Sequence, residues 1–394
     1  MKFGVPFKFE RIPPELRLLI HCVRHYLNPE TPVDRKKNLD WDLVVAAARW
    51  HRVHPFLLRH SGGDIPEDQR KKLMELSKDQ ARQSLVMLAS MNRLISQLQN
   101  HQIPVLQMKG LSLAQLAYGD LSVRSSVDLD FLLRPQDAEK AITLLQEQLH
   151  FKHYEAMSKT HLRLRTRVDC EEALTDGLIS LDIHWACSLF PEMFPLNLDG
   201  VIKQPFNVDL GQVSAPTLPL PHLISYLCFH GAKHQWAKLF WISDIAALVL
   251  RRSDIHWGDV VHVAGELRQT RSLAQGLMLA HFLFQSPIPK PVEEIIGRDP
   301  EVLALVHDTL VHLFDRDHNK DHYEIEVSLA EKVRWELRLY PQRSTRLAIL
   351  MRYIFQPGSS DIRAVSLPHF LFPLYYLVRP LRLIFREFMK KTRA

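Results

Sequence analysis

The first hundred residues carry apolar side chains at the spacing of amphipathic helices. A first stripe follows Pro13-Pro14 and comprises Leu16, Leu19, Ile20, Val23 and Tyr26. Such spacing, with proline at its start, is typical of a helix. A second helix is predicted over Trp41–Trp50, after Asp40 as a candidate cap. A third is predicted over Pro66–Asn100, where the longest stripe lies. Residues 1–100 are therefore predicted to form an N-terminal helical region.

At residue 101 the spacing changes, and short apolar runs alternate with helical segments. Strands are predicted over Ile103–Met108 and Val127–Leu133. Helices are predicted over Leu111–Tyr118 and Gln136–Leu149, the second of them directly after a proline. Alternation of this kind indicates a unit of the α+β class.

Further strands are predicted towards the end of this unit. Phe151–Glu155 has the character of a strand, and Leu162–Val168 alternates apolar residues with Arg or Thr, as half-buried strands do. Leu178–Trp185 is predicted to be the hairpin partner of Leu162–Val168. Asp176-Gly177 supplies residues that favour a turn before that partner.

A proline-rich stretch, residues 191–221, separates this unit from a second helical region. It contains six prolines and is interpreted as a connection with little regular structure. Helical spacing then returns, and its clearest pieces are Leu223–His230, Leu239–Leu250, Trp257–Arg268, Ser272–Phe284 and Glu301–Leu313. We therefore predict three regions: N-terminal helices at 1–100, the α+β core with its connection at 101–220, and C-terminal helices at 221–394.

The amino-acid composition excludes several classes of protein. The chain has 394 residues, of which 46% are hydrophobic, and this content excludes intrinsic disorder. Its four cysteines lack C-x-x-C spacing, so neither a disulfide scaffold nor a thiolate zinc site is expected. The N-terminus has no apolar segment of the kind found in signal peptides, and the apolar run Phe370–Val378 is too short to cross a membrane. We expect a cytoplasmic protein without a transmembrane segment.

The charge pattern favours a small polyanionic ligand over DNA. The formal net charge is +6, and the basic residues are spread along the chain instead of forming one stripe. The tail from Arg363 to Ala394 is both basic and aromatic. We interpret it as a terminal helix docked on the core, while a role at a membrane surface stays open.

The segment Asp128-Leu129-Asp130 carries the most informative chemistry. Side chains two residues apart on a strand point to the same face, so Asp128 and Asp130 project together while Leu129 and Phe131 point into a core. Two adjacent carboxylates repel each other unless a cation lies between them. A divalent cation with oxygen ligands satisfies this arrangement.

A third carboxylate and a set of phosphate-binding groups complete the pattern. If the strand that contains Asp182 lies beside the first, three carboxylates hold two metals ~4 Å apart, as in phosphoryl and nucleotidyl transfer. Lys109-Gly110 precedes a predicted helix whose backbone N–H groups suit phosphate oxygens. Ser112 adds a hydroxyl, and Lys109 and Arg124 add positive charge.

These residues resemble the nucleotidyltransferase superfamily of DNA polymerase β. They are more similar still to the uncharacterised bacterial nucleotidyltransferase family known as the NTP_transf_5 group. The resemblance rests on Lys109-Gly110, Arg124, the two aspartates of Asp128-Leu129-Asp130, and Asp182-Ile183-His184-Trp185. It extends to His51-Arg52-Val53-His54-Pro55, to His230-Gly231-Ala232-Lys233-His234, and to a tail with Leu367-Pro368 and Arg379-Pro380. The resemblance implies a polymerase-β-like core, a small mixed sheet with helices, flanked by helical regions.

Several other residues are candidates for the same cleft. His184 shares the face of Asp182 and is either a neighbour of the metal or a hydrogen-bonded histidine of the cleft wall. His230 and His234 lie one helical turn apart, and Lys233 is expected to reach a triphosphate. Asp244 lies in an otherwise apolar helix and needs a partner, for which a basic residue of the same element would serve.

The expected activity is transfer of an NMP group from an NTP, with ATP favoured, to an unidentified acceptor, with release of pyrophosphate. Two Mg²⁺ ions, or Mn²⁺ in their place, are the expected cofactors, held by Asp128, Asp130 and Asp182. The acceptor is a small molecule, a saccharide, a peptide or a protein, and the sequence does not choose among them. Two alternatives stay open: a nucleotide- or partner-binding module without catalysis, and an RNA-binding protein on the same fold.

Overall fold

The computed structural model describes residues 4–33, 38–61, 65–154, 168–211, 213–314, 328–365 and 367–391. Within them the chain forms a mixed sheet surrounded by helices, which confirms the α+β class. None of the described helices has the length and apolarity needed to cross a bilayer.

One mixed sheet of seven strands lies between residues 106 and 217 of the described chain. In chain order its strands are β1 Leu106–Gln107, β2 Asp128–Leu132, β3 Lys152–His153, β4 Glu171–Thr175, β5 Ser180–His184, β6 Phe206–Asp209 and β7 Ser214–Thr217. Their spatial order is β3-β4-β5-β2-β1-β7-β6. The pairs β2/β5 and β1/β7 are parallel, and the other neighbours are antiparallel. The parallel pair β2/β5 lies near the middle of the sheet, where both strands are shielded.

Helices occupy both flanks of the described chain. On the N-terminal side lie α1 Pro14–Leu27, α2 Trp41–Trp50, α3 His54–His60 and α4 Glu67–Asn100. Among the strands lie α5 Leu111–Tyr118, α6 Pro135–Leu149 and α7 Leu198–Lys203. On the C-terminal side lie α8 Leu220–Lys233, α9 Leu239–Arg251, α10 Trp257–Glu266, α11 Thr270–Phe284, α12 Lys290–Arg298, α13 Pro300–Phe314, α14 Leu329–Arg338, α15 Arg343–Phe355, α16 Ser359–Ala364 and α17 Tyr375–Lys391. The three predicted region boundaries stay predictions, although the described strands all fall inside the second region.

The hairpin that ends in β5 differs from the predicted one. The turn at Asp176-Gly177 is present, with Asp176 Oδ1 accepting from the amides of Leu178 and Ile179. The antiparallel neighbour of β5 is β4, which directly precedes this turn. The prediction that Leu162–Val168 is the partner is therefore wrong, because a short turn pairs the residues that flank it. Residues 161–167 themselves lie outside the described part of the chain.

The proline-rich stretch is more regular than expected. It contains α7 and the antiparallel hairpin β6/β7, so its interpretation as a connection with little regular structure is wrong. Leu210 donates its amide to Val213 O (2.9 Å), and alternation along the ladder leaves Pro216 opposite Asn207 at a position without hydrogen bonds. A proline there removes no ladder donor, so the strand tolerates it.

Close helix packing around Trp236 depends on two glycines. Trp236 is fully buried between α8 and α11. A Cβ atom added at Gly276 would lie 2.8 Å from the Trp236 ring and 2.9 Å from Cys228 Sγ. Gly231 on α8 approaches the same ring even more closely. The indole therefore fits between the two helices because Gly231 and Gly276 have no Cβ atom.

We expect Gly276→Ala to lower the free energy of unfolding by about 1–3 kcal/mol, because the added methyl overpacks the site. The matched control is Gly265→Ala in α10, where an added Cβ has no atom within 4 Å among the described residues. This control should be neutral or raise stability by up to ~1 kcal/mol through helix propensity. Urea denaturation of both variants checks the prediction, and equal stability of the two would contradict it.

Candidate active site

Parallel pairing of β2 with β5 places two aspartates side by side. In the register of this pair Asp130 lies opposite Asp182, and Asp128 lies opposite Ser180. The alternate residues Leu129 and Phe131 are fully buried on the other face. Since neighbouring strands are only ~4.8 Å apart, the side chains of Asp130 and Asp182 project from the same face at short range.

Three side chains form a compact group of ligand atoms. Asp130, Asp182 and His184 each offer one atom, and these atoms lie within 4.8 Å of one another. Asp128 is on the same face but outside this compact group. Asp128 is opposite Ser180 in this register, whereas Asp130 is opposite Asp182. The predicted meeting of Asp130 with Asp182 is therefore observed, and Asp128 lies at the edge of the group.

Asp130 is the centre of the group. It is 1% exposed, and its Oδ1 accepts from Lys109 Nζ at 2.8 Å and lies 3.3 Å from His184 Nε2. Its Oδ2 is buried and has no hydrogen-bond partner among the described residues. Although burial raises the pKa of Asp130, the charges of Lys109 and His184 lower it to about 2. Asp130 is thus an ionised carboxylate with one oxygen left to bind a ligand.

The pKa values of the other two aspartates are shifted upwards instead. Burial raises the pKa of Asp182 to about 7, and the negative charges of Asp130 and Asp128 add to this shift. Burial and Asp130 likewise raise the pKa of Asp128, against the lowering effect of Lys109, Arg52 and Arg124. Carboxylates that resist ionisation together are the groups that a bound cation stabilises most.

His184 bridges two carboxylates. Its Nδ1 lies 3.0 Å from Glu171 Oε2, and its Nε2 contacts Asp130. Burial lowers the pKa of His184, but the hydrogen bonds to Asp130 and Glu171 outweigh burial and raise the pKa to about 9. Both ring nitrogens therefore donate, and His184 orients Asp130 as a hydrogen-bonded wall of the cleft. Glu171 was not among the predicted site residues, because nothing in its local pattern shows that β4 borders β5.

The turn before α5 depends on glycine. Gly110 has φ 71° and ψ −131°, a conformation that other residues rarely adopt, and it precedes the first turn of α5. Ser112, which was predicted to bind phosphate, is buried, and its amide and hydroxyl donate to Gln107 Oε1. Ser112 therefore fixes the turn from inside. Gly110 itself lines the cleft.

Arg124 joins this turn to the C-terminal helices. Its Nε donates to both carboxylate oxygens of Asp244 at 3.0 and 3.1 Å, and its Nη1 donates to Gly110 O at 3.3 Å. Tyr118 also donates to Asp244, at 2.9 Å. The expectation that Asp244 finds a partner on its own element is wrong, because α9 packs against α5 and brings it to Arg124.

These elements enclose a cleft of about 200 Å³. It is lined by Arg52, Lys109, Gly110, residues 124–128, Asp130, His230, His234, Phe240 and Trp241. The rings of His230 and His234 are 4.7 Å apart, and both pack against Trp241, at 5.2 and 5.8 Å. Lys233 is not part of the lining, and its charge lowers the pKa of Glu171. N-terminal, core and C-terminal segments therefore all contribute to one cleft.

Comparison with known proteins agrees with this geometry. Residues 37–285 match the model of a family described as an uncharacterised nucleotidyltransferase. The chain belongs to this nucleotidyltransferase family. The matched stretch exceeds half of the chain and contains every residue that lines the cleft, whereas the tail with Leu367-Pro368 lies beyond it. No curated protein shows significant similarity to the chain.

Arg52 lines the cleft but was not among the predicted site residues. It follows α2 with φ 55°, and its guanidinium lies 5.2 Å from the centre of the Phe240 ring. Its charge lowers the pKa of Asp128 against the effect of burial. The segment His51-Arg52-Val53-His54-Pro55 was one of those that carry the family resemblance. Residue spacing alone does not show which of its side chains lies near Asp128 on β2.

We expect Asp244→Ala to lower the free energy of unfolding by about 3–5 kcal/mol, because it leaves Arg124 buried without its carboxylate partner. The matched control is Glu294→Ala, which removes an exposed ion pair with Arg298 on α12. This control should cost less than ~1 kcal/mol. Chemical denaturation of both variants provides the measurement. Equal losses in the two would show that the Arg124–Asp244 pair does not join the core to α9.

Proposed function

We propose that this protein is a Mg²⁺-dependent nucleotidyltransferase that moves an NMP group from an NTP to an acceptor hydroxyl. The observation that carries the proposal is the buried, unpartnered Oδ2 of Asp130 beside Asp182. An orphaned carboxylate oxygen is costly in a protein interior unless a ligand satisfies it. Family membership supports the same class of reaction.

The donor set fits a hard divalent cation. Asp128, Asp130 and Asp182 supply carboxylate oxygens, which Mg²⁺ and Mn²⁺ prefer, and thiolates that would select a softer metal are not part of the group. The raised pKa of Asp128 and of Asp182 reflects negative charge without enough compensation. Two such cations, when bound, would neutralise charge on the triphosphate and on the departing pyrophosphate.

The chain's own groups then position the reactants. The acceptor oxygen forms a bond to the α-phosphorus of the NTP, and the bond from that phosphorus to the bridging oxygen of pyrophosphate breaks. Asp182 accepts the proton of the acceptor hydroxyl, a role assigned to it because its carboxylate lies opposite Asp130 at the centre of the group. The imidazole of His184 contacts both Asp130 and Glu171, and these two contacts hold Asp130 in place.

Positive groups of the cleft are assigned to the phosphates. Lys109 and Arg52 line the same cleft as Asp128, and Gly110 brings the backbone at the start of α5 to its wall. A helix start with a glycine turn suits phosphate oxygens because its N–H groups point outwards. Arg124 acts on this turn through Gly110 O, so we assign it to positioning as well as to charge.

The aromatic end of the cleft is assigned to the nucleobase. His230, His234 and Trp241 form a packed cluster on α8 and α9 within the lining. Ring stacking accepts every base, so all four NTPs are assayed as donors. ATP is the first donor to assay. We place the reaction in the cytoplasm, in keeping with four cysteines that are all free thiols. The acceptor is a hydroxyl-bearing molecule still to be identified.

The test compares transfer by the wild type with Asp128→Asn. Asp128 is half-buried at the edge of the group, so its loss should preserve the fold, whereas loss of Asp130 would strand Lys109 and His184. Pyrophosphate release and label transfer from α-labelled NTPs are measured in cell extract supplemented with Mg²⁺. We expect a loss of at least about 100-fold in Asp128→Asn, because weaker metal binding removes several kcal/mol of transition-state stabilisation.

The matched control for this experiment is Asp199→Asn, an exposed aspartate in the first turn of α7. It should transfer at the wild-type rate. Mg²⁺-dependent NTP binding by the wild type without any transfer would instead support a binding module. Normal transfer by a folded Asp128→Asn protein would overturn the assigned site.

A further inference from the structure

The last helix of the chain turns an apolar face outwards. Leu377, Leu381, Ile384 and Phe385 are 63–68% exposed, and their spacing places them on one side of α17. Phe370, just before this helix, is 78% exposed. Amphipathic helices of globular proteins normally pack this side against the core. The orientation of α17 is the reverse of that arrangement.

Polar contacts fix this reversed orientation. Arg379 Nη1 lies 3.3 Å from Asp361 Oδ2, and Arg382 pairs with Asp361 Oδ1 and donates to Ser360 O at 2.8 Å. Asp361 is buried beneath the helix. Tyr375 is also buried, and its hydroxyl donates to Val365 O at 2.6 Å. The helix is therefore attached through Arg379 and Arg382 and through Tyr375, which packs in a small apolar cluster with Val168 and Ile362, while the side with Leu377 and Leu381 faces solvent.

A second helix extends the apolar surface. α15 packs against α17 and leaves further large apolar side chains exposed. These are Leu347, Leu350, Met351 and Phe355. These four side chains are 39–61% exposed. Clusters of exposed apolar side chains on a protein surface usually mark an interaction site. Both helices also lie outside the stretch that matches the nucleotidyltransferase family.

Charge identifies the partner. In sequence, the two helices hold eight Arg and Lys residues and one acidic residue, Glu387, which gives them a net charge of +7. The whole chain has a net charge of +6, so these thirty residues account for all of its excess positive charge. Apolar side chains flanked by Arg and Lys are the features of helices that lie in the interface of anionic bilayers.

We propose that α15 and α17 form a docking surface for an anionic lipid bilayer. The exposed face of α17 enters the boundary between headgroups and acyl chains, and the net positive charge of the two helices attracts anionic headgroups. The helix lies along the membrane, in agreement with the finding that no described helix is suited to crossing one. Pairing with a second copy is disfavoured, because it would bring two surfaces of +7 together.

Vesicle flotation of the full-length protein tests the proposal. The probes are vesicles of phosphatidylcholine alone and of phosphatidylcholine with phosphatidylglycerol. We expect the protein to float with the anionic vesicles, and high salt should reduce the bound fraction. The triple variant Leu377→Ser, Leu381→Ser, Ile384→Ser should lower the bound fraction about tenfold, because it removes most of the inserted apolar area.

The matched control is Leu85→Ser with Leu178→Ser, two leucines that are 67% and 72% exposed elsewhere on the chain. This control should bind like the wild type, and all variants should melt at the wild-type temperature. Absence of wild-type binding to anionic vesicles would overturn the proposal, as would equal binding to phosphatidylcholine alone. Conversion of a wild-type dimer to a monomer by the triple variant, without vesicle binding, would assign the face to self-association instead.

Discussion

Burial of Asp130 beside Asp182 is the constraint on which the rest of the site depends. The parallel register of β2 and β5 sets these carboxylates side by side in the shielded middle of the sheet, where their repulsion is least screened. Lys109 and His184 both compensate the charge of Asp130 at its Oδ1, and Glu171 in turn holds His184. The other oxygen of Asp130, Oδ2, has no partner among the described residues, and this oxygen makes the site suitable for a cation.

The cleft above these carboxylates depends on contacts between distant segments. Arg124 connects the turn at Gly110 to Asp244 on α9, and Arg52 after α2 stacks near Phe240 on the same helix. The turn at Gly110, the strand that carries the carboxylates and the aromatic wall of the cleft are therefore held by one another. The outward face of α17 has a different cause. Buried Asp361 pairs with Arg379 and Arg382 on one side of the helix, and the apolar side stays exposed.

Local spacing predicted the features that depend on local geometry. Alternation along β2 placed Asp128 and Asp130 on one face, and the turn residues Asp176-Gly177 located a hairpin. Features that depend on topology were not predictable in this way. The partner of Asp244 comes from residue 124, and Glu171 reaches the site only because β4 borders β5. The tail from Arg363 to Ala394 was interpreted as a helix docked on the core, but its sequence did not show which side of that helix would face outwards.

We propose that the oxygens of Asp130 and Asp182 form a divalent cation site that serves a nucleotide. Crystals of the full-length protein grown with Mn²⁺ and a non-hydrolysable ATP analogue test it most directly, through anomalous scattering of the metal. We expect an anomalous peak ~2.2 Å from Asp130 Oδ2, shared with Asp182 and a phosphate oxygen of the analogue. An analogue bound in the cleft without any anomalous peak at these carboxylates would contradict it.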